Sequence, residues 1–203
     1  PNSRGPLSEI TDADLTMGWL THQKAKVLDI PCMLARVSFA GELGWEIHVN
    51  NQKAPAIYSE IINKEAKPFG MFALNSLRIE KGYKAWKGDL STDYSLLEAG
   101  LDRFIKFDKE VDFRGKKALQ VERQRGSKKL FTILKVNTNG CDAPYMSTVW
   151  HNGEVVGEVT SGAWGYRVNS SIALCMLKPE LSKAGKVVEI EIYGQRCKAT
   201  VHG

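Results

Sequence analysis

The sequence predicts an α+β protein in which a mixed helix-and-strand region, residues 1–125, precedes a small all-β barrel, residues 126–203. Two observations carry this prediction. Before residue 82, apolar residues recur at helical spacing in two stretches, and strand-like runs lie upstream of them. After the linker Arg125-Gly126-Ser127-Lys128-Lys129, six short β-rich runs follow one another at regular intervals with no convincing helix among them, which predicts a small closed barrel.

The first strands and a hairpin are predicted between residues 26 and 49. A first helix begins near Pro6, and VLDIP is predicted as a short strand. LARVSF and WEIHV flank Gly41-Glu42-Leu43-Gly44, which predicts a hairpin with a four-residue loop. In the second of these strands, the apolar residues share one face, and Glu46 and His48 share the other.

Two helices are predicted next. The first covers residues 54–65, where Ile57 and Ile61 repeat at helical spacing. The second runs from about residue 71 to 81, with Leu74 and Leu77 towards the core, and Gly82 ends it. The polar stretch from residue 86 to 94 is predicted as a loop.

The barrel prediction rests on the runs LFTILKV, STVWH, EVVGEV, SIALCML, VVEIEIY and CKATV. Asn152-Gly153 predicts a tight hairpin turn, and Gly194-Gln195 predicts a second one.

Composition narrows the class of protein. The net charge of +5 is compatible with an anionic ligand, but the basic residues alternate with acids, which indicates a solvated surface and not a nucleic-acid interface. The sequence has no long apolar run for a membrane span, and we expect a cytoplasmic protein. Its four cysteines are scattered, which predicts free thiols and no metal site.

Five stretches of the sequence, in this order, resemble the aminomethyltransferase family: ARVSFAGELGWEI, SLRIEKGYKAWKGDLS, LLEAGLDRFIKF, DFRGKKAL and GEVTSG. The family includes the T-protein of the glycine cleavage system and the folate-binding part of dimethylglycine and sarcosine dehydrogenases. Three features favour the dehydrogenase branch: the tryptophan in GELGWE, the stretch EKGYKAW, and VDF in the segment VDFRG.

The resemblance implies a tetrahydrofolate-binding one-carbon transfer module. In such an enzyme a flavin oxidises an N-methyl amine, and tetrahydrofolate captures the one-carbon unit as 5,10-methylenetetrahydrofolate. The chain has no GxGxxG stretch, so FAD is expected only in a missing upstream domain. A T-protein is the first alternative. A non-catalytic folate-binding protein of iron–sulfur assembly is the second, and the absence of cysteine from residues 80–86 disfavours it.

Residue by residue, the resemblance implies a cofactor-binding role for two charged side chains. Glu46 matches the glutamate that holds the aminopyrimidine edge of tetrahydrofolate, since an acceptor-only carboxylate can take two parallel N–H bonds. Glu42 is expected to stabilise the turn and not to bind the cofactor. Arg78 matches an arginine near the folate pocket, and the alternative is a helical arginine in solvent.

Three aromatic residues complete the expected folate-binding set. Trp86 matches a position that is often aromatic and that could pack on the folate; packing in the protein core is the alternative. Phe39 stands where the family has a tyrosine, so that tyrosine's hydroxyl is absent here. Tyr166 follows GEVTSG and could close over the folate tail, and a surface loop is the alternative. The family's acidic positions Glu80, Asp89 and Glu98 are expected to make structural bonds only.

The resemblance also implies that the chain is part of a longer protein. Its first residues, Pro1-Asn2-Ser3-Arg4, resemble the end of a Gly-Pro-Asn-Ser-Arg segment, and the family's catalytic aspartate lies further upstream. We therefore assign no catalytic residue here and expect these 203 residues alone to be inactive. They are expected to self-associate or to pair with the missing N-terminal half. In a eukaryote the expected location is the mitochondrial matrix.

Overall fold

A computed structural model describes residues 2–138 and 140–202, and the chain divides into two compact units between Lys81 and Gly82. The first unit contains, in chain order, α1 (Arg4–Ser8), β1 (His22–Val27), β2 (Ile30–Ala35), β3 (Glu46–His48), α2 (Ala54–Asn63) and α3 (Met71–Glu80). The second unit contains α4 (Lys116–Arg125), β4 (Leu130–Val136), β5 (Thr148–His151), β6 (Glu154–Gly165), β7 (Ser170–Leu177), β8 (Val187–Ile192) and β9 (Gln195–His202), with short 3₁₀ turns at Asp102–Phe104 and Pro179–Leu181.

The first unit is built on a three-stranded antiparallel sheet in the order β1-β2-β3. The prediction of one strand over VLDIP is wrong. Val27 ends β1 and Ile30 begins β2, while Leu28 and Asp29 form the turn between them with φ values of 52° and 60°. An aspartate tolerates this left-handed conformation, and a leucine there is unusual.

The connection from β2 to β3 is longer than the predicted four-residue loop. It covers residues 36–45, because after Ala35 the backbone of Arg36 pairs with Thr21 instead of with β3 (N–O distance 2.9 Å). The loop is compact: a methyl group on Gly44 would lie 2.6 Å from the Cβ of Ser38. The glycines of this stretch therefore allow close backbone approach as well as a turn.

The predicted alternation across β3 is confirmed. Trp45, Ile47 and Val49 are partly buried, whereas Glu46 and His48 are exposed. The apolar face packs into a small core whose buried members are Leu7, Leu15 and Leu34. The two predicted helices are present as α2 and α3.

The predicted barrel is confirmed. Strands β4 to β9 close in the order β4-β7-β6-β5-β8-β9, and β4 pairs with β9 to complete the ring. β6 runs well past the predicted EVVGEV, because its pairing with β7 continues to Gly165 opposite Ser170. The Asn152-Gly153 turn is confirmed by positive φ at both residues. The last turn lies one residue earlier than predicted, at Tyr193-Gly194, and Gln195 already belongs to β9.

Residues 82–129 belong to the same compact unit as the barrel. The Phe131 amide donates to the Glu98 carbonyl over 2.8 Å, and the buried carboxylate of Glu122 accepts from the hydroxyls of Ser95 and Ser127, both over 2.7 Å. Glu98 accepts from the Ser95 amide over 3.0 Å, a structural bond of the predicted kind. The predicted domain boundary at residues 125/126 stays a prediction.

Within residues 2–138 and 140–202, none of the helices has the length and apolar character needed to cross a membrane.

Replacing Gly157 by alanine is expected to destabilise the barrel by about 3 kcal/mol. The added Cβ would lie 2.2 Å from the Met176 carbonyl oxygen on the paired strand, and both strands are fixed by ladder bonds. Hydrogen exchange of the β6 and β7 amides measures the loss. Gly5→Ala, where a Cβ meets nothing within 4 Å, is the matched control and should leave exchange unchanged. Equal protection in both variants would contradict this packing.

Candidate functional site

Glu46 is an exposed carboxylate at the first position of β3. The ladder pairs it with Ala35 of β2, so the sheet fixes its backbone. Its Oε2 lies 3.1 Å from the Nε2 of His48, the next residue on the same face, and 56% of the Glu46 side chain is exposed. The carboxylate can therefore accept two hydrogen bonds from a ligand without leaving its position on the sheet.

A cavity with a volume of about 580 Å³ opens on the other face of this strand. Its lining is mostly apolar and includes Leu7, Leu43, Trp45, Ile47, Ile61, Phe69 and Leu77. Because side chains alternate along a strand, Trp45 and Ile47 face this cavity while Glu46 points away from it. The cavity and the Glu46 carboxylate are thus separate features of the first unit. Sequence reasoning identified the apolar face but missed the cavity.

Trp45 lies beside Arg36, whose guanidinium carbon is 5.0 Å from the centre of the indole ring. Among the described residues, neither the Nε1 of Trp45 nor the Nε of Arg36 has a hydrogen-bond partner, although both atoms are buried. A cation over an indole face is stabilising, but two unpaired buried donors cost free energy. Glu42 lies in the same loop and lines the cavity.

Arg78 is buried in the last turn of α3, with 4% of its surface exposed. Its Nε donates to the Oδ1 of Asn75 over 3.1 Å. The alternative of a solvent-exposed arginine is therefore wrong. The predicted core face of α3 also needs correction, since Ser76, Arg78 and Ile79 are its buried residues, and Leu74 and Leu77 are only partly buried.

The three predicted aromatic residues are all exposed. Phe39 lies in the connection between β2 and β3 and is 40% exposed. Tyr166 lies at the tip of the β6–β7 hairpin and is 79% exposed. Trp86 lies in the loop after α3 and is 70% exposed, so the alternative that it packs in the core is wrong. Phe39 belongs to the first unit with Glu46 and Arg78, whereas Trp86 and Tyr166 belong to the second.

The loop that carries Trp86 holds two buried or half-buried charges. Asp89 is fully buried and accepts hydrogen bonds from β6 and from its own loop. The ammonium group of Lys84 lies 4.1 Å from the centre of the Phe131 ring. Burial lowers the pKa of Lys84, the positive charge of Arg103 lowers it further, and the Asp89 carboxylate partly opposes both effects.

A second polar group in this unit was not predicted. The Tyr94 hydroxyl donates to Glu158 over 3.2 Å, and the Lys129 ammonium lies 2.9 Å from the same carboxylate oxygen. Burial raises the pKa of Tyr94, and the negative charge of Glu158 adds to the shift. Tyr94 therefore stays a protonated donor at neutral pH.

Across the part of the chain that the structure describes, His, Cys, Asp and Glu side chains form no cluster of three or more that could hold a metal ion.

Two family models match the chain in succession. The model described as the GCVT N-terminal domain matches residues 1–109, and the glycine cleavage T-protein C-terminal barrel domain matches residues 128–203.

Related proteins match over most of this chain. Mitochondrial dimethylglycine dehydrogenase of Rattus norvegicus is 37% identical over 99% of the chain, and mitochondrial sarcosine dehydrogenase of Mus musculus is 36% identical over 85%. An aminomethyltransferase of Rippkaea orientalis is 30% identical over 99% of the chain. The chain spans 24% of the first of these proteins, 20% of the second and 54% of the third.

A solved structure has the same fold. The crystal structure of the glycine cleavage system aminomethyltransferase T from Bartonella henselae superposes with a TM-score of 0.88 at 22% identity. The match covers 100% of this chain and 56% of that one.

Replacing Gly41 by alanine is expected to destabilise the first unit by about 2 kcal/mol. Gly41 has a φ of +73°, and a Cβ there would lie 2.1 Å from the Cγ of Lys81. The double variant Gly41→Ala/Lys81→Ala removes the clash and keeps the backbone cost, so about half the loss should return. Urea unfolding measures each step, with Lys81→Ala alone as the control. A double variant no more stable than Gly41→Ala would contradict the contact.

Proposed function

This chain belongs to the glycine cleavage T-protein family, and from that premise we propose that it is the tetrahydrofolate-binding part of a dehydrogenase acting on an N-methylated glycine. The observation that carries the proposal is the ranking of identities over nearly the same residues. Identity is 35–37% to the dimethylglycine dehydrogenases and 28–30% to the aminomethyltransferases.

The residues present fit tetrahydrofolate on two counts. The aminopyrimidine edge of a pterin presents N–H donors, and Glu46 offers an exposed, acceptor-only carboxylate on a fixed strand. The cofactor's pyrimidine and p-aminobenzoyl rings are planar, and Trp86 offers an exposed indole face on a loop anchored by a buried carboxylate. Bound tetrahydrofolate would supply two nitrogens that accept a one-carbon unit, N5 of the pterin ring and the exocyclic N10.

Glu46 is proposed to bind and orient the pterin. Two parallel charge-assisted bonds fix a planar partner in direction as well as position. Holding the acceptor in place converts an encounter of two molecules into a reaction within one complex, which is the main catalytic gain of such a site. His48 stands beside Glu46, with its Nε2 3.1 Å from the carboxylate.

The other predicted residues have distinct proposed roles. Arg78 is buried, so we propose that it contributes positive charge near the folate site more than a direct contact. Phe39 would supply an apolar ring where a tyrosine would also supply a hydroxyl. Tyr166, at a hairpin tip, is proposed to contact the folate tail.

The whole protein is proposed to oxidise its N-methyl amine with FAD held by a further domain. The one-carbon unit would then pass to tetrahydrofolate, and a mitochondrial location would follow in a eukaryote. No catalytic role is assigned within these residues. Self-association, or pairing with the remainder of the folate-binding domain, is proposed for the chain in isolation.

A T-protein is the second candidate, and a specific observation favours it. Aminomethyltransferases are 28–30% identical over 96–99% of the chain, and the chain spans 54–55% of each of them. A T-protein needs an aminomethyl group delivered on a lipoyl-bearing partner, whereas the proposed dehydrogenase needs only a free N-methyl amine and a flavin.

Purified full-length protein is expected to carry bound flavin and to reduce it with dimethylglycine or sarcosine. Methylenetetrahydrofolate should then form without any lipoyl protein. The measurement is flavin bleaching together with quantification of the folate product. Product formation only with an aminomethylated lipoyl partner would establish the T-protein instead, and folate binding with neither activity would revive the iron–sulfur-assembly alternative.

Replacing Glu46 by alanine is expected to weaken tetrahydrofolate binding by the full-length protein roughly 10- to 100-fold, because a charged hydrogen-bond acceptor is lost. Isothermal titration measures the Kd. Glu46→Gln should be weaker than wild type too, because one of the two acceptors becomes a donor. The matched control is Glu60→Gln, which removes a carboxylate from α2 and should leave the Kd unchanged. Unaltered affinity in Glu46→Ala would remove this residue from the site.

A further inference from the structure

The loop from Lys84 to Leu90 turns tightly around Trp86. The amides of Asp89 and Leu90 both donate to the Ala85 carbonyl over 3.0 Å, and the Lys87 amide donates back to the Leu90 carbonyl over 2.7 Å. These bonds fix the backbone on both sides of Trp86. The indole itself stays 70% exposed, so the loop is ordered around a side chain that the protein does not bury.

Asp89 ties this loop to strand β6 of the barrel. Its Oδ1 accepts from the hydroxyls of Thr160 and Ser161, at 2.5 and 2.9 Å. Its Oδ2 accepts from the Ala85 amide over 2.8 Å and from the Ser161 hydroxyl over 3.0 Å. A carboxylate with no exposed surface is retained only with such partners, and here they come from both the loop and the strand.

Two further contacts hold the same loop against the barrel. Gly88 approaches the backbone of β6 so closely that a Cβ there would lie 3.2 Å from the Thr160 carbonyl oxygen. At the other end of the loop, the Lys84 ammonium lies over the Phe131 ring of β4. The segment that carries Trp86 is therefore attached to two barrel strands, before and after the indole.

We propose that Asp89 is a positioning residue, which holds Trp86 so that its indole packs on a planar ring of bound tetrahydrofolate. The inference rests on the proposed function and adds to it a residue that does not touch the ligand. A large aromatic ring that is already ordered loses little conformational entropy on binding, so more of the stacking energy appears as affinity. If the loop were released from β6, Trp86 would be mobile in the free protein. Binding would then have to order it, and the affinity would fall.

The test is a double-mutant cycle on tetrahydrofolate affinity in the full-length protein. Trp86→Ala should weaken the Kd roughly tenfold, the scale of one aromatic stacking contact. Asp89→Asn should weaken it about threefold, because an amide nitrogen in place of Oδ2 cannot accept from Ala85. In the Trp86→Ala background, Asp89→Asn should change the Kd by less than about twofold, since the residue acts through the missing indole.

Thr160→Val provides a second route to the same prediction if Asp89→Asn fails to fold. It removes one hydroxyl from the buried carboxylate and should show the same dependence on Trp86. The matched control is Thr132→Val, which also removes a buried barrel hydroxyl. That hydroxyl donates to the nearby Leu130 carbonyl over 3.0 Å, so its loss should not change the Kd.

The outcomes separate this inference from the proposed function. Wild-type protein that binds no tetrahydrofolate would overturn both. Normal wild-type binding with Asp89→Asn and Thr160→Val at wild-type affinity, or with losses that add fully to that of Trp86→Ala, would overturn the positioning role alone. Losses that disappear in the Trp86→Ala background, with Thr132→Val unchanged, would support it.

Discussion

The alternation of side chains across β3 determines which side chains of this strand pack into the core of the first unit and which stay exposed. Trp45 and Ile47 pack towards the apolar core, and Glu46, between them in sequence, is turned to the opposite face. A shift of one residue in the pairing with β2 would exchange these faces and bury a carboxylate among apolar side chains. The burial of two apolar residues therefore fixes the register, and the register keeps the carboxylate accessible.

In the second unit the carboxylate of Asp89 is buried, in contrast to the exposed carboxylate of Glu46. Asp89 has lost all contact with solvent, and its hydrogen bonds to Thr160 and Ser161 compensate for that loss. The same bonds hold a loop whose most conspicuous side chain, Trp86, is left exposed. One carboxylate thus meets ligands directly in the proposal, and the other acts only through the backbone that it anchors. Both residues are carboxylates, so residue type does not distinguish the two roles; the difference in burial does.

Much of the fold could be predicted from the sequence, and the failures have physical causes. The barrel strands were predictable because short β-rich runs follow one another at regular intervals, and the Asn152-Gly153 turn marks a hairpin between two of them. The break within VLDIP was missed because a leucine at positive φ contradicts local preference, and sheet pairing overrode it. The long connection after β2 was missed because Arg36 pairs with Thr21, a contact distant in sequence. The cavity beside Trp45 could not be predicted for the same reason, since its walls come from separate elements.

Burial also separates the two charged residues that the family resemblance marks. Arg78 lies in the last turn of α3, where a positive charge complements the carbonyl end of the helix, and its Nε is bonded to Asn75. Those interactions give the buried guanidinium a structural purpose that needs no ligand. Glu46 is different, because an exposed carboxylate beside a histidine contributes little to stability. A role in binding explains the position of Glu46 better than a role in folding does, whereas Arg78 has a structural role in addition to the charge that it is proposed to contribute near the folate site.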